Sequence, residues 1–346
     1  MKKALFATTA LVAFAGAASA EVSISGWAEM GIVGGDRFGT APTGTTGIPL
    51  ATQFWNDVDI EFTLSGESDS GISFGARVDL DEAGNLGRVY DNQGTSVFIS
   101  GSFGTLTLGD TDGALDWALT DAGNIGNPGS ISDDETTHAG YLGAYGDGGG
   151  FLGGFGVVYD NQVLRYDYSF GDFGVAISYE QAGFQFNGQV PDVPFWFDGS
   201  LAVGVRYALN LGGSTVNLGA GFQTVDFGAA GNEDIFGVSV SGSFGGGFQA
   251  GIEYTQFQDV TGVATADVDH VGVGLGYESG PFSVHANWGQ YSFSPIFASG
   301  DISGWGLAAA YDFGGGLSLN AGVGHDNFPA PAVDNTYWSL GMVMSF

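Results

Sequence analysis

Sixteen times along this sequence, apolar side chains alternate with small or polar ones at every second position. Period two marks an extended strand whose two faces meet different surroundings. In 58–65, Val58, Ile60, Phe62 and Leu64 share one face, and Asp59, Glu61, Thr63 and Ser65 the other. A polar turn from Gly66 to Gly71 follows. Then Ile72, Phe74, Ala76, Val78 and Leu80 alternate with Ser73, Gly75, Arg77, Asp79 and Asp81. This is a hairpin with one apolar and one charged face.

The unit recurs, predicting strands at 22–33, 55–65, 71–81, 95–101, 104–110, 162–170, 173–181, 200–209, 214–225, 235–244, 247–257, 269–278, 281–290, 302–313, 316–325 and 335–346. Connections alternate in length. Short ones fall at Gly66–Gly71, Gly101–Gly104, Phe170–Phe173, Asn210–Ser214, Phe244–Gly247, Ser279–Pro281 and Phe313–Gly316. Long ones fall at 34–54, 82–94, 111–161, 182–199, 226–234, 258–268, 291–301 and 326–334. Short turns at one end and long loops at the other are the signature of an outer-membrane barrel, with the short turns periplasmic. An even strand number closes an antiparallel sheet without edges. A soluble β-sandwich also alternates its faces, but it uses about seven to nine strands per domain of ~100 residues. Sixteen strands in one domain fit an all-β, antiparallel transmembrane barrel better.

Residues 1–20 read differently. Lys2 and Lys3, a short apolar stretch from Ala4 to Ala15, and Ala18-Ser19-Ala20 before Glu21 form the pattern of a cleaved signal peptide. The stretch is too short to cross about 30 Å of hydrocarbon. The barrel domain is then 21–346, with no lysine, five arginines and 38 acidic residues, a net charge of −33. That charge excludes phosphate-directed nucleic-acid binding. It does not signal disorder, because 44% of residues are hydrophobic and 14% aromatic. Apolar and acidic side chains must therefore occupy separate surfaces. No segment after residue 20 reaches 18 uninterrupted apolar residues, which leaves the closed barrel as the structure that satisfies its backbone in lipid. Trp27, Trp55, Tyr159, Tyr166, Tyr168, Tyr179, Tyr207, Tyr254, Tyr277, Trp288, Trp305, Tyr311 and Trp338 are expected to supply girdles at the headgroup level. The chain has no cysteine, which fits the periplasm or outer membrane.

The inward register carries Asp57, Asp59, Glu61, Arg77, Asp79, Arg165, Asp167, Glu180, Arg206, Asn217, Gln223, Gln249, Glu253, Glu278, His285 and Asn320. So many charges are expected to meet water rather than a dry core, and sixteen strands leave room for an aqueous channel. Gly272, Gly274 and Gly276 are expected to widen it. The 51-residue connection 111–161 far exceeds the roughly 15 residues beyond which loops are usually functional. Part of it is expected to fold inward and narrow the barrel. Asp110 at its root, with Asp112, Asp116, Asp121, Asp133, Asp134 and Glu135, would then oppose Arg77, Arg165 and Arg206 across the opening. Opposed charges order water in a transverse field and favour polar solutes. The alternative is an external loop, with the arginines in local salt bridges.

Several segments carry a family resemblance. Ile60-Glu61-Phe62-Thr63-Leu64-Ser65-Gly66 with Asp69-Ser70-Gly71 and Phe74-Gly75-Ala76 is one. Val97-Phe98-Ile99-Ser100-Gly101-Ser102-Phe103-Gly104 leading to Leu108-Gly109-Asp110, and Asn161-Gln162-Val163-Leu164 with Tyr166 and Tyr168-Ser169, are others. With Tyr311-Asp312-Phe313-Gly314-Gly315-Gly316 they resemble alphaproteobacterial general diffusion porins. Phe346 matches the terminal aromatic that such barrels present to their assembly machinery. The resemblance implies a sixteen-stranded barrel, a homotrimer in outer-membrane lipid of a Gram-negative bacterium, export through the periplasm, and a third loop beginning after Asp110 that forms the constriction. Family members oppose that loop to a basic cluster. This chain departs from them in its few arginines, so a weak preference for cations is expected, with small hydrophilic solutes and ions passing by diffusion.

No cofactor is required. Asp110-Thr111-Asp112 with Asp116, and Asp133-Asp134-Glu135, offer hard oxygens suited to calcium, but neither has EF-hand spacing and solvated acidic loops are the default. His138, His270, His285 and His325 are scattered without a catalytic spacing, and no G-x-S-x-G elbow occurs, so no enzyme is expected. Two further readings are a solute-specific channel, which needs aromatics along the lumen, and an adhesive barrel with a plugged lumen.

Overall fold

The computed structural model describes residues 21–36, 52–80, 95–143, 163–181, 199–297, 300–330, 332 and 334–346. The predicted signal peptide and Tyr159 lie outside these residues. The strands are β1 (Glu21–Gly35), β2 (Gln53–Glu67), β3 (Ser73–Leu80), β4 (Ser96–Gly101), β5 (Gly104–Gly109), β6 (Val163–Phe170), β7 (Phe173–Gln181), β8 (Gly199–Asn210), β9 (Thr215–Asp226), β10 (Asn232–Phe244), β11 (Phe248–Gln258), β12 (Val268–Ser279), β13 (Phe282–Phe293), β14 (Ile302–Gly314), β15 (Leu317–Asn327) and β16 (Asn335–Ser345). Each starts and ends within three residues of its expected bounds. Every strand pairs antiparallel with its sequence neighbours, and β1 pairs with β16, closing the barrel.

The short turns use their glycines. Between β8 and β9, Gly212 and Gly213 both take positive φ (65° and 110°), and the Leu211 N–H donates to the Ser214 carbonyl at 2.9 Å. Two positive-φ residues give the mirror-image turn that matches strand twist.

The outward register is apolar across the middle of the wall, as at Val203, Ile252, Leu275 and Leu307. Rings gather near the short turns, with Phe170–Phe173, Phe248–Tyr277 and Phe282–Tyr311 centroids 5.0, 4.6 and 4.9 Å apart. Two expected girdle residues differ. Trp27 and Trp55 share the inward register of Glu29, Asp57 and Asp59, because strict alternation in β1 and β2 sends odd-numbered side chains inside.

At the long-loop ends of β9–β14 the alternation changes sense. Asp234, Gln256, Asp269, Gln290 and Ser303 face outward, while Val225, Ile235, Phe257, Val268, Tyr291 and Ile302 face inward and are buried. All of these inward residues but Ile302 form one apolar core with Leu115, Leu119 and Leu142 of the long connection. The long-loop end of β9–β14 is therefore built like a soluble protein, apolar inside and polar outside, and its inner face is covered.

Candidate functional site

The cover is the described part of the long connection, residues 110–143. It opens with a short helix, α1 (Ala114–Ala118), over β7–β9. It then follows the inner wall through β10–β15 to β16 and β1. The wall supplies polar partners in sequence. The Ala114 N–H donates to Ser178 Oγ (2.8 Å), the Thr120 N–H to Ser239 Oγ (2.8 Å), and the Ala122 N–H to Glu253 Oε2 (2.6 Å). His285 places its two ring nitrogens 2.9 and 3.0 Å from the Ile125 and Gly123 carbonyls. Asn287 donates to Gly123 and Thr136, and Asn320 to Pro128 and Gly129. The Ala139 N–H donates to Asp326 Oδ1, and the Tyr291 hydroxyl to the Tyr141 carbonyl. A loop without regular structure must satisfy its backbone groups somewhere; here the inward-facing wall does it.

Glycines let the backbones meet. A methyl group on Gly274 would fall on the Ala122 carbonyl oxygen, one on Gly289 on that of Gly140, and one on Gly204 on that of Ala114. The expected role of Gly272, Gly274 and Gly276 is corrected accordingly. Gly274 and Gly276 do not widen the lumen but seat the loop, and Gly272 makes room for Glu253. The expectation that the inward polar residues all meet water is corrected too. Glu180, Gln223, Glu253, His285 and Asn320 are each 3% exposed or less.

The expected loop-side residues separate into two groups. Asp112 and Asp134 are exposed. Asp110 sits half-buried at the loop root, its N–H bonded to the Thr95 carbonyl. The others turn inward on the loop itself. Asp116 and Glu135 are buried, and Glu135 accepts from the Ser130 and Ser132 hydroxyls. Asp121 accepts from the Tyr141 hydroxyl, and Asp133 from the Ser130 N–H. Asp116 and Glu135 as lumen charges are thus corrected: the loop lies against the wall, and its inner edge takes them with it.

Two of the three arginines, Arg165 and Arg206, touch the loop rather than face it across a gap. Arg77 on β3 pairs with Glu61 and Asp79 at 2.8 Å each. Arg165 on β6 pairs with Asp167 (3.4 Å), lies 3.9 Å from the Asp112 carboxylate, and donates to the Asp112 carbonyl at 2.7 Å. Arg206 on β8 stacks on Trp117 of α1, 3.8 Å from the ring centroid, and makes no ion pair among the described residues. Arg77 and Arg165 thus make the local salt bridges of the alternative reading, while Arg206 does not.

Three of the four histidines, scattered in sequence, meet at the loop–wall contact. His138 accepts from the Gly140 N–H, His270 Nε2 contacts the Gly140 carbonyl, and His285 lies beside them on β13. Burial pushes the pKa of His138 down to about 3, against a side-chain interaction with Asn287 that raises it; His270 and His285 lower it further. Burial, then Asp121, raises that of Tyr141 well above the ordinary tyrosine value. Tyr141, Asn287 and Asp326 were not singled out by sequence reasoning, since nothing local marks a strand residue as a loop partner. Among the described residues no three His, Asp or Glu side chains gather as a metal-ligand set.

Among the described residues, the long connection leaves most of β2–β6 uncovered, touching it at Arg165. The inward side chains of this wall include Asp57, Glu61, Thr63, Arg77, Asp79, Ser96, Phe98, Thr105, Arg165 and Asp167. Hydroxyls and carboxylates make up most of this surface.

A family model described as Gram-negative porin matches residues 7–330. A curated porin of Rhodobacter capsulatus is 29% identical over 325 residues, covering 89% of this chain and 95% of that protein. Among solved structures, a porin superposes with a TM-score of 0.67 at 23% identity, and a triple mutant of Rhodopseudomonas blastica porin with 0.62 at 18%. Each alignment covers 94% of this chain and all of the other.

Proposed function

The chain belongs to the Gram-negative porin family, an outer-membrane channel family, and from that premise we propose that it passes small hydrophilic solutes and ions by diffusion with a weak preference for cations. The observation that carries this reading is the wall that the described loop residues leave open: inside a closed barrel with an apolar exterior, β2–β6 present hydroxyls and the part-exposed Arg77–Glu61 and Arg77–Asp79 pairs. Carboxylates outnumber arginines there, and a chain with a net charge of −33 after residue 20 concentrates cations at its mouths. The exported, signal-free form acts in the outer membrane.

A homotrimer is part of the proposal. β4 and β5 have six residues each, fewer than the roughly 9–11 a strand needs to cross the membrane. A second copy against this stretch relieves the mismatch. Reconstitution into planar bilayers tests the reading. An ohmic current with a reversal potential on the cation side in a potassium chloride gradient is expected. A silent barrel refutes the channel; a zero or anion-side potential refutes the cation preference alone.

A further inference from the structure

The geometry points to Arg206 and Trp117 as a docking station for small organic carboxylates on their way through the lumen, an inference that rests on the channel reading. Arg77 and Arg165 are neutralised by adjacent carboxylates, whereas Arg206 is exposed and without an ion pair among the described residues. The nearest charged groups acting on it are Asp167 and Arg165, and Asp167 already accepts from Arg165. The guanidinium carbon Cζ lies over the Trp117 ring, 3.8 Å from its centroid. Stacking uses the face and leaves the N–H edge for a partner, and a carboxylate takes two parallel N–H donors from such an edge.

The stack is also built to hold its shape. Trp117 rides on α1, whose flanking residues are fastened to the wall through Ser178 and Ser239. Gly174, between them on β7, leaves the space: a methyl there would lie 3.0 Å from Trp117 Cη2 and 3.2 Å from Arg206 Cγ and Nε. In a lumen that otherwise repels anions, this is the point at which an anionic solute gains a partner. Aromatic carboxylates gain most, because the ring can extend along the Trp117 edge.

The experiment compares benzoate with its neutral analogue benzamide as blockers of single-channel current, each read as a fraction of that variant's own open current. Concentration-dependent block by benzoate and none by benzamide is expected. Arg206→Gln should raise the half-blocking concentration about tenfold or more. Arg206→Lys, which keeps the charge but not the fork, should give an intermediate rise and serves if the glutamine variant does not assemble. Trp117→Leu should weaken block as the guanidinium loses its support. Equal block by the two compounds, or benzoate block that persists in the Arg206 variants, overturns the station while leaving the channel standing. Absence of current altogether removes the channel reading itself.

Discussion

The inner wall of this barrel is two different surfaces. From β7 round to β16 and β1 it is covered by residues 113–142, and polar side chains there are dry and spent on loop backbone, as Glu253 is on Ala122 and Asp326 on Ala139. From β2 to β6 it is bare, and polar side chains pair with each other in water, as Arg77 does with Glu61 and Asp79. The same residue types on the same register thus do opposite jobs. On the covered side a carboxylate fixes the shape of the passage; on the bare side it sets the charge met by whatever passes. Loss of a buried partner leaves an orphan group, whereas loss of an exposed one is compensated by solvent.

The sharpest way to break this comparison is to add the same bulk to both walls. Gly274→Val places methyls against the Ala122 carbonyl, a backbone atom that cannot swing aside. Overpacking costs about 1–3 kcal/mol where side chains can adjust, and here the loop must lift off, so the cost should reach or exceed the top of that range. Ser96→Gln adds three side-chain heavy atoms on the bare wall, as many as Gly274→Val adds, and should leave heat stability nearly as it was while lowering conductance. Gel mobility on heating and single-channel current read the two effects. Equal stability loss in both variants would mean that the loop does not rest on β12.

Acid probes the covered side next. His138 is held neutral by burial, its pKa depressed from 6.5 to about 3. Its contribution to the docked loop is complete above pH 6.5 and is withdrawn as pH falls toward 3, since an undocked, hydrated imidazole binds a proton first. At about 1.4 kcal/mol per pH unit, moving to pH 4 removes on the order of 3 kcal/mol. Open-channel noise should rise through that window in the parent chain, and His138→Gln should flatten the rise. Identical pH profiles in the two would assign the acid response to other groups.

Much of the barrel could be read from the sequence, and the reason is local. Strand alternation and turn glycines act between neighbours, so all sixteen strands, and the inward direction of Arg77, Arg165 and Arg206, follow from counting by two. The path of the loop depends on pairings across 64 to 192 residues, such as Ala114 with Ser178 and Asn320 with Pro128, for which no local pattern exists. One signal was present in the sequence all the same. Val225, Ile235, Phe257, Val268 and Tyr291 put large apolar groups on the lumen register at the long-loop ends. Such residues face inward only where water is absent, which marks the covered half of the wall.

Within that half, Glu253 should matter less than Gly274 but more than any exposed acid. Glu253→Ala removes the acceptor of the Ala122 N–H, a cost of about 1–3 kcal/mol for the buried donor. Loop residues near 122 should become protected less well against hydrogen exchange, with protection near Ala114 little changed. Unaltered protection at 122 would show that the bond is not holding the loop.

The smallest effect is expected on the bare wall, at Arg77. Its guanidinium is 48% exposed and its two partners about 30%, so the pairs contribute no more than about 1 kcal/mol to stability. Arg77→Gln should therefore leave the unfolding temperature nearly in place. It also releases Glu61 and Asp79 to act as unneutralised charges on the passage, and the reversal potential in a potassium chloride gradient should move further to the cation side. A large drop in stability, or a shift toward anions, would show that Arg77 belongs with the buried contacts of the covered wall and that the division between the two surfaces is drawn in the wrong place.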